Sequence, residues 1–251
     1  MKIVVIGGTG LIGSAVVSNL AANGHDAIPA SPNSGVNTLT GEGLADVLDG
    51  AAAVVDVSNS PSFEEHAVLE FFETSTRNIL DGMVAAKARH LVALSVVGDD
   101  RLPDSGYLRA KVAQEKLITS SDLPFSIVHA TQFFEFIDRI ADSAMEGDTV
   151  RLPSVLFQPA AAGDVSAVVS EVAQGAPLMG ILEIGGPDRF RFDELVRRHL
   201  AAHGDTRTVV ADPHARYFGT ELEERSLVPA DGARLLPTTY ETWSRQQEAR
   251  S

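Results

Sequence analysis

The run Gly7-Gly8-Thr9-Gly10-Leu11-Ile12-Gly13 constrains the fold of this chain more than any other stretch. It contains G-x-x-G-x-x-G, from Gly7, Gly10 and Gly13, and also G-x-G-x-x-G, from Gly8. Before it stands Ile3-Val4-Val5-Ile6, a continuous β-branched run of the kind parallel strands show when both faces are covered. After it, apolar residues from Leu11 to Asn23 recur at helical spacing, and Asn23-Gly24 supplies a stop. A plain glycine-rich tight turn would fit the string alone. The context of strand, turn and helix points further, because backbone amides at a helix N-terminus can face a pyrophosphate that side chains would keep away. A dinucleotide site over residues 3–13 is the expectation.

The alternation continues along the chain. Asp26 to Ala30 predicts a second strand, Gly43 to Leu48 a helix and Ala52 to Val57 a third strand. Ser62-x-x-Glu65 reads as a capping box ahead of a long amphipathic helix reaching about Ala88. A strand at Leu91–Leu94, a helix at Gly106–Thr119, a strand at Phe125–His129, and helices at Phe133–Ala144 and Val165–Ala173 follow. Such an order implies an α/β fold with a doubly wound parallel sheet. Beyond about Thr149 the pattern is shorter and punctuated by prolines from Pro153 to Pro237. The expected organisation is a dinucleotide-binding domain at 1–148 and a small, irregular substrate-covering region at 149–251 interleaved with the main sheet.

Composition narrows the function classes. The chain has 34 acidic and 20 basic side chains, a formal charge of −14, and its basic residues never form a run, so nucleic acid is not an expected partner. With no cysteine, disulfides, thiolate metal sites and a cysteine nucleophile are excluded. The apolar start is too short for a signal segment and no stretch is long enough to span a membrane, so a cytoplasmic protein without membrane attachment is expected. It should act on a small molecule as a monomer or homodimer.

The strand end expected to border the adenosine ribose is Ser31-Pro32-Asn33-Ser34, which carries no carboxylate to hold a ribose 2′-hydroxyl. It carries no arginine for a 2′-phosphate either. Ser31, Asn33 and Ser34 are the candidate donors, so NADP(H) is favoured, with NAD(H) the alternative. Asp26 stands too early on its strand for the ribose and reads as a solvated turn residue.

Ser95 lies at the carboxyl end of a predicted central strand, where open parallel sheets bind ligands. Tyr107-Leu108-Arg109-Ala110-Lys111 follows in a predicted helix, and a spacing of four puts Tyr107 and Lys111 on one face. Carbonyl reduction needs a proton donor beside a hydride donor; a phenol of pKa about 10 becomes a better acid/base next to an ammonium. The candidate catalytic set is Ser95, orienting a substrate carbonyl, with Tyr107 and Lys111. A helix merely decorated by Tyr107 and Lys111 is the competing reading.

With these residues in place, the sequence resembles the short-chain dehydrogenase/reductase superfamily, nearest its extended and atypical NmrA-like branch. The resemblance covers about residues 1–200 and is carried by Ile6 to Gly13, Thr76-Arg77-Asn78-Ile79-Leu80, Ala93-Leu94-Ser95, Tyr107 with Lys111, and Leu123 to Val128. It implies a Rossmann-type fold, a nicotinamide cofactor, Tyr107 as acid/base, and Lys111 holding the nicotinamide ribose. The segment His129-Ala130-Thr131-Gln132-Phe133-Phe134 would line the nicotinamide pocket, although many relatives have arginine-proline where this chain has His129-Ala130. The cofactor-binding set is then Gly7, Gly8, Thr9, Gly10, Leu11, Ile12, Gly13, Ser31, Asn33, Ser34, Ser58, Lys111, Ala130 and Thr131.

Other groups carry less. His199 and His203 are four apart on a predicted helix, but with no third ligand evident and the helix read as solvated, no metal is expected. Phe133, Phe134, Phe136 and Ile137 read as a helix face packed on the sheet rather than a pocket floor. In Asp212-Pro213-His214-Ala215-Arg216-Tyr217-Phe218-Gly219, His214 and Tyr217 are candidates to touch substrate, against a plain loop. The function expected is an NAD(P)-dependent oxidoreductase acting on a small carbonyl, quinone or enone. A non-catalytic dinucleotide redox sensor or partner-binding protein is the alternative, and an epimerase or lyase of the extended branch the third.

Overall fold

The structure is a computed structural model that describes residues 1–249. Its elements are β1 (Lys2–Ile6), α1 (Leu11–Ala22), β2 (Asp26–Ala30), α2 (Leu44–Leu48), β3 (Ala53–Asp56), α3 (Glu65–Ala86), β4 (Leu91–Val96), α4 (Gly106–Thr119), β5 (Phe125–Ala130) and α5 (Ile137–Ser143). They continue with β6 (Met145–Glu146), β7 (Thr149–Leu152), β8 (Leu156–Phe157), α6 (Ala162–Gln174), β9 (Gly180–Gly185), β10 (Phe190–Arg191), α7 (Phe192–Ala202), β11 (Thr208–Ala211), β12 (Arg234–Leu235) and α8 (Tyr240–Glu248). Among the described residues, no helix is long and apolar enough to cross a membrane.

Seven strands form the central sheet in the order β12-β9-β5-β4-β3-β1-β2. Pairing is parallel from β2 to β1, β1 to β3 and β3 to β4, with Val4 opposite Ile28 and Val54. After β1 the chain crosses to β2 on one side and returns to β3 on the other. The carboxyl ends of β1 and β3 thus border the crevice where such sheets bind ligands. The Rossmann-type α/β reading of the sequence holds.

The chain divides into two compact units. The first comprises Met1–Ser95, Gly106–His129 and Gly163–Leu182. In it, one pleat of the sheet turns Val4, Ile6, Val54, Leu91, Ala93 and Ile127 onto Leu44 and Leu48 of α2, Ile79 and Met83 of α3, and Ile118 of α4, all buried in one cluster. The other pleat carries Ile3, Val5, Val55 and Val92, each fully buried. That double coverage explains the unbroken apolar runs in the strands. The Ser166 hydroxyl of α6 donates to Ile12 O at 3.3 Å, joining that helix to α1.

The second unit comprises Val96–Ser105, Ala130–Ala162 and the chain from Glu183 onward. It contains a small sheet ordered β11-β7-β6 and the antiparallel pair β8 and β10. Phe157 and Phe192 stack in its core with centroids 4.4 Å apart. The expected boundary at 148/149 does not coincide with a unit boundary, because α6 from Gly163 onward belongs to the first unit and short segments from earlier in the chain join the second.

Two local expectations are corrected. The N-cap of α3 is Glu64, whose side chain accepts from Ala67 N at 3.0 Å; Ser62 Oγ instead accepts from Glu64 N, making a turn one step earlier. The predicted helix at Phe133–Ala144 is a 3₁₀ turn at Phe134–Phe136 followed by α5, since Phe133 is extended and pairs in a bridge with Ala160.

Candidate functional site

The glycine turn is built as its sequence requires. Gly7 sits at φ +78°, a conformation that strains any residue with a Cβ. Its amide donates to Ala30 O at 2.9 Å, and a side chain there would come 2.9 Å from Ser58 Cα, so the turn lies between the ends of β2 and β3. A Cβ at Gly8 would lie 2.7 Å from Pro29 Cα, and one at Gly13 would lie 2.1 Å from Gly7 O, so these two glycines permit close packing of turn, strand and helix. Gly10 differs, because its Cβ would meet nothing nearer than Gly7 O at 3.4 Å. It is the N-cap of α1, exposed beside Thr9 and Leu11, with no side chain capping the helix and no acid in its first turn. This open, uncapped amino end fits a phosphate ester, with the helix dipole favouring the negative charge.

Around the turn, Ser31 follows the second strand with its side chain buried, as the N-cap of a short turn at Pro32–Ser34. Asn33 and Ser34 are exposed, but the Ser34 hydroxyl is occupied locally, accepting from Ser31 N at 2.9 Å and donating to Ser31 O at 3.0 Å. Ser58 donates from both N and Oγ to Asp56 Oδ1, at 3.0 and 2.6 Å. Ala130 and Thr131 belong to the second unit, where the Thr131 amide donates to Ile184 O at 3.2 Å and its buried hydroxyl has no partner.

Ser95, Tyr107 and Lys111 all lie in the first unit. Ser95 is 6% exposed on β4, and its Oγ is buried without a hydrogen-bond partner. An orphaned buried hydroxyl of this kind costs about 1–3 kcal/mol, a cost that a bound acceptor or donor would remove. Lys111 Nζ donates to Leu94 O at 2.9 Å, fastening α4 to the strand beside Ser95. The Tyr107 ring is half-buried between Phe63, 5.5 Å away, and Phe72, at 6.1 Å in an edge-to-face arrangement.

Two members of this site, Asp56 and Gln114, escaped sequence reasoning. Lys111 Nζ also donates to Gln114 Oε1 and lies 4.5 Å over the Phe72 ring, while Gln114 Nε2 donates to Asp56 Oδ2 at 2.9 Å. Asp56, Lys111 and Gln114 are all buried. The amide thus bridges a buried ammonium and a buried carboxylate, satisfying both at once. Through Asp56 the network reaches Ser58 beside the glycine turn. One signal was available, the carboxylate closing the apolar strand Ala-Val-Val-Asp.

Most of the remaining candidates pack within the fold. His129 pairs with Glu115 at 2.8 Å, both side chains nearly buried. The α7 helix is not solvated on the face carrying His199, which is 2% exposed. Nδ1 of His199 lies 3.1 Å from the Tyr240 hydroxyl and Nε2 lies 3.1 Å from Asp138 Oδ1. Burial pushes this imidazole below the usual histidine range, with Asp138 partly opposing. His203 turns Nδ1 to its own helix at His199 O. Phe134 packs on Tyr240 and Trp243, and Phe133 on Phe136. His214 is exposed near Glu221, whereas Tyr217 is 7% exposed and packs edge-on against Phe192.

Comparison with known proteins agrees with this geometry. A family model described as NAD(P)H-binding matches residues 7–150. In sequence, none of the curated proteins compared matches the chain. Among solved structures, a dTDP-4-dehydrorhamnose reductase from Bacillus anthracis in complex with NADP is 14% identical, covering 100% of this chain and 99% of its own at a TM-score of 0.73. A Thermus thermophilus UDP-glucose 4-epimerase in complex with NAD is 17% identical, covering 90% and 92% at 0.70. A dTDP-glucose 4,6-dehydratase from Streptomyces venezuelae with NAD bound is 16% identical, covering 100% and 98% at 0.73. These likenesses establish a shared fold. The family match over more than half the chain, on a glycine turn shaped for a pyrophosphate, places this protein in the NAD(P)H-binding family.

Proposed function

We propose that the protein is an NAD(P)H-dependent oxidoreductase that reduces a small carbonyl, quinone or enone. The observation carrying this reading is the bond from Lys111 Nζ to Leu94 O, which brings the α4 face bearing Tyr107 to the end of β4 beside the unpartnered Ser95 hydroxyl. When bound, the nicotinamide would supply the hydride. The glycine turn and the α1 amino end would hold its pyrophosphate, with Ser31 and Ser58 at the flanks. Ser95 Oγ donates to the substrate carbonyl oxygen and orients it, and Tyr107 delivers the proton that the developing alkoxide requires. The Lys111 ammonium, held by Leu94 O and Gln114, keeps positive charge near the phenol and eases proton release. Purified protein should consume NADPH with members of a carbonyl and quinone panel. Tyr107→Phe should lower that rate at least about a hundredfold; an unchanged rate removes the phenol from the mechanism.

A second reading, a redox-sensing dinucleotide binder, draws support from the burial of Lys111 at 3% exposure, which suits a fixed structural cation as well as a catalytic one. Calorimetry separates the two. A sensor binds one redox form of the cofactor preferentially and turns over nothing in the panel.

A further inference from the structure

The segment between β3 and α3 presents an aromatic side chain, Phe63, at the surface. Phe63 is 55% exposed, although phenylalanine is among the residues that folding most readily buries. It is not loosely tethered. Ser60 N donates to Asn59 Oδ1, Ser62 N to Ser60 Oγ and Glu64 N to Ser62 Oγ, and Glu64 then caps α3, so the backbone on both sides of Phe63 is held by a ladder of local bonds. The first turn of α3 is fixed to that of α4 by the ion pair of Glu65 with Arg109. A Cβ at Gly106 would lie 3.0 Å from Glu65 Cγ, so glycine there lets the two helix starts approach.

This scaffold sets Phe63 beside Tyr107. Its ring lies 5.5 Å from that of Tyr107, tilted by 44°, and Tyr107 in turn meets Phe72 edge-to-face at 6.1 Å. Beneath them Val68, Phe72 and Ala110 form a buried cluster with Phe71 and Tyr107 packed on it. The result is a graded aromatic shelf: Phe72 wholly buried, Tyr107 half-buried with its phenol on α4, and Phe63 outermost. The shelf starts from the carboxyl end of β3, on the same sheet edge as Ser95.

We propose that Phe63 is a specificity-determining residue for the reaction assigned above, and that it selects planar, conjugated carbonyl substrates, of the quinone or aryl-enone class, over aliphatic ones. A carbonyl accepting the Tyr107 proton leaves its adjoining carbon skeleton next to the phenol ring. There the exposed Phe63 offers an apolar plane. A flat conjugated ring stacks on it offset or edge-on, regaining the contact area that the phenyl leaves open, whereas a short alkyl chain covers only part of it.

The proposal rests on Tyr107 being the proton donor, and its test has two arms so that the two ideas fail separately. In the first, kcat/KM with NADPH is measured for 1,4-naphthoquinone and for butanal in wild type, Phe63→Ala and Phe63→Tyr. The quinone-to-butanal ratio should fall about tenfold or more in Phe63→Ala, chiefly through the quinone KM, and return in Phe63→Tyr, which restores the ring. In the second arm, calorimetry follows a planar probe that is not reduced, 2-naphthol, binding to protein saturated with NADP+. Phe63→Ala should weaken the probe about tenfold while NADP+ itself binds as in wild type. If nothing in the panel is turned over but the probe still depends on Phe63, the oxidoreductase reading fails and the aromatic site stands. An unchanged quinone-to-butanal ratio, a probe that ignores the substitution or does not bind wild type, or an equal loss of NADP+ affinity overturns the assignment of Phe63.

Discussion

Two glycines three residues apart in one motif should respond in opposite ways to the same methyl group. On helix propensity alone, Gly13→Ala in α1 should stabilise the protein by about 0.5–1 kcal/mol. The structure reverses that sign. The new Cβ would lie 2.1 Å from Gly7 O and 2.7 Å from Gly8 Cα, and these backbone atoms cannot rotate out of the way as a side chain could. Overpacking of this type costs about 1–3 kcal/mol, and an obstacle made of backbone belongs at the upper end. The net loss is about 2 kcal/mol, or roughly 4–8 °C in Tm for a chain of this size. Gly10→Ala meets only Gly7 O at 3.4 Å, so its Tm should stay within about 2 °C of wild type. Its methyl group stands instead on the open face of the α1 amino end, where it should weaken NADPH at least tenfold, about 1.4 kcal/mol. Thermal melts must be run without cofactor, because a ligand bound to the native state raises Tm by itself; NADPH affinity is measured by calorimetry. A Gly13→Ala protein that melts at or above the wild-type temperature refutes the packing argument, and a Gly10→Ala protein with wild-type affinity refutes the placement of the pyrophosphate.

Three further outcomes are expected. Wild type should prefer NADPH over NADH by about tenfold, since neutral donors at Ser31 and Asn33 gain less from a dianionic phosphate than arginine would. Ser31→Asp should move selectivity toward NADH by repelling the 2′-phosphate and accepting from a ribose hydroxyl, and a wild type that prefers NADH tenfold would show that the ribose lies elsewhere. Gln114→Met keeps the volume but removes both bridges, to Lys111 Nζ and to Asp56 Oδ2; about 2–3 kcal/mol should be lost in urea titrations, and an unshifted midpoint would mean the network adds nothing. For His199, burial favours the neutral ring, so the unfolded chain binds the proton more readily. Stability should therefore be full above about pH 6.5 and fall as pH drops from there toward the lowered folded-state value. His199→Gln should flatten the difference in urea midpoint between pH 7.5 and 5.5, and an equal slope in both proteins would place that sensitivity in other groups.

Much of the first unit was legible in the sequence because its signals are local. β-Branched runs gave β1 and β3, the limits of β2 and α4 fall where period and turn residues put them, and the glycine spacing marked the turn between β1 and α1. Each depends on residues within a few positions of one another. The same locality misled at Ser62, where the capping pattern was present but the chain turned one step earlier, and at Phe133, whose extended backbone is set by a bridge to distant Ala160.

The sequence by itself determined a strand, a glycine turn whose amides can meet a pyrophosphate, and a helix bearing tyrosine and lysine on one face, because backbone sterics and helical period are properties of short segments. Only the tertiary structure decided which side chains share that site. Gln114 reaches Asp56 across 58 residues, Lys111 reaches Leu94 across 17, and Phe63 meets Tyr107 only because Glu65 and Gly106 let two helix starts approach. No periodicity encodes such pairings, since they arise when strands distant in sequence are laid side by side. His199 shows the same limit: its spacing from His203 is helical and local, whereas its burial against Tyr240 and Asp138 comes from elements 41 and 61 residues away.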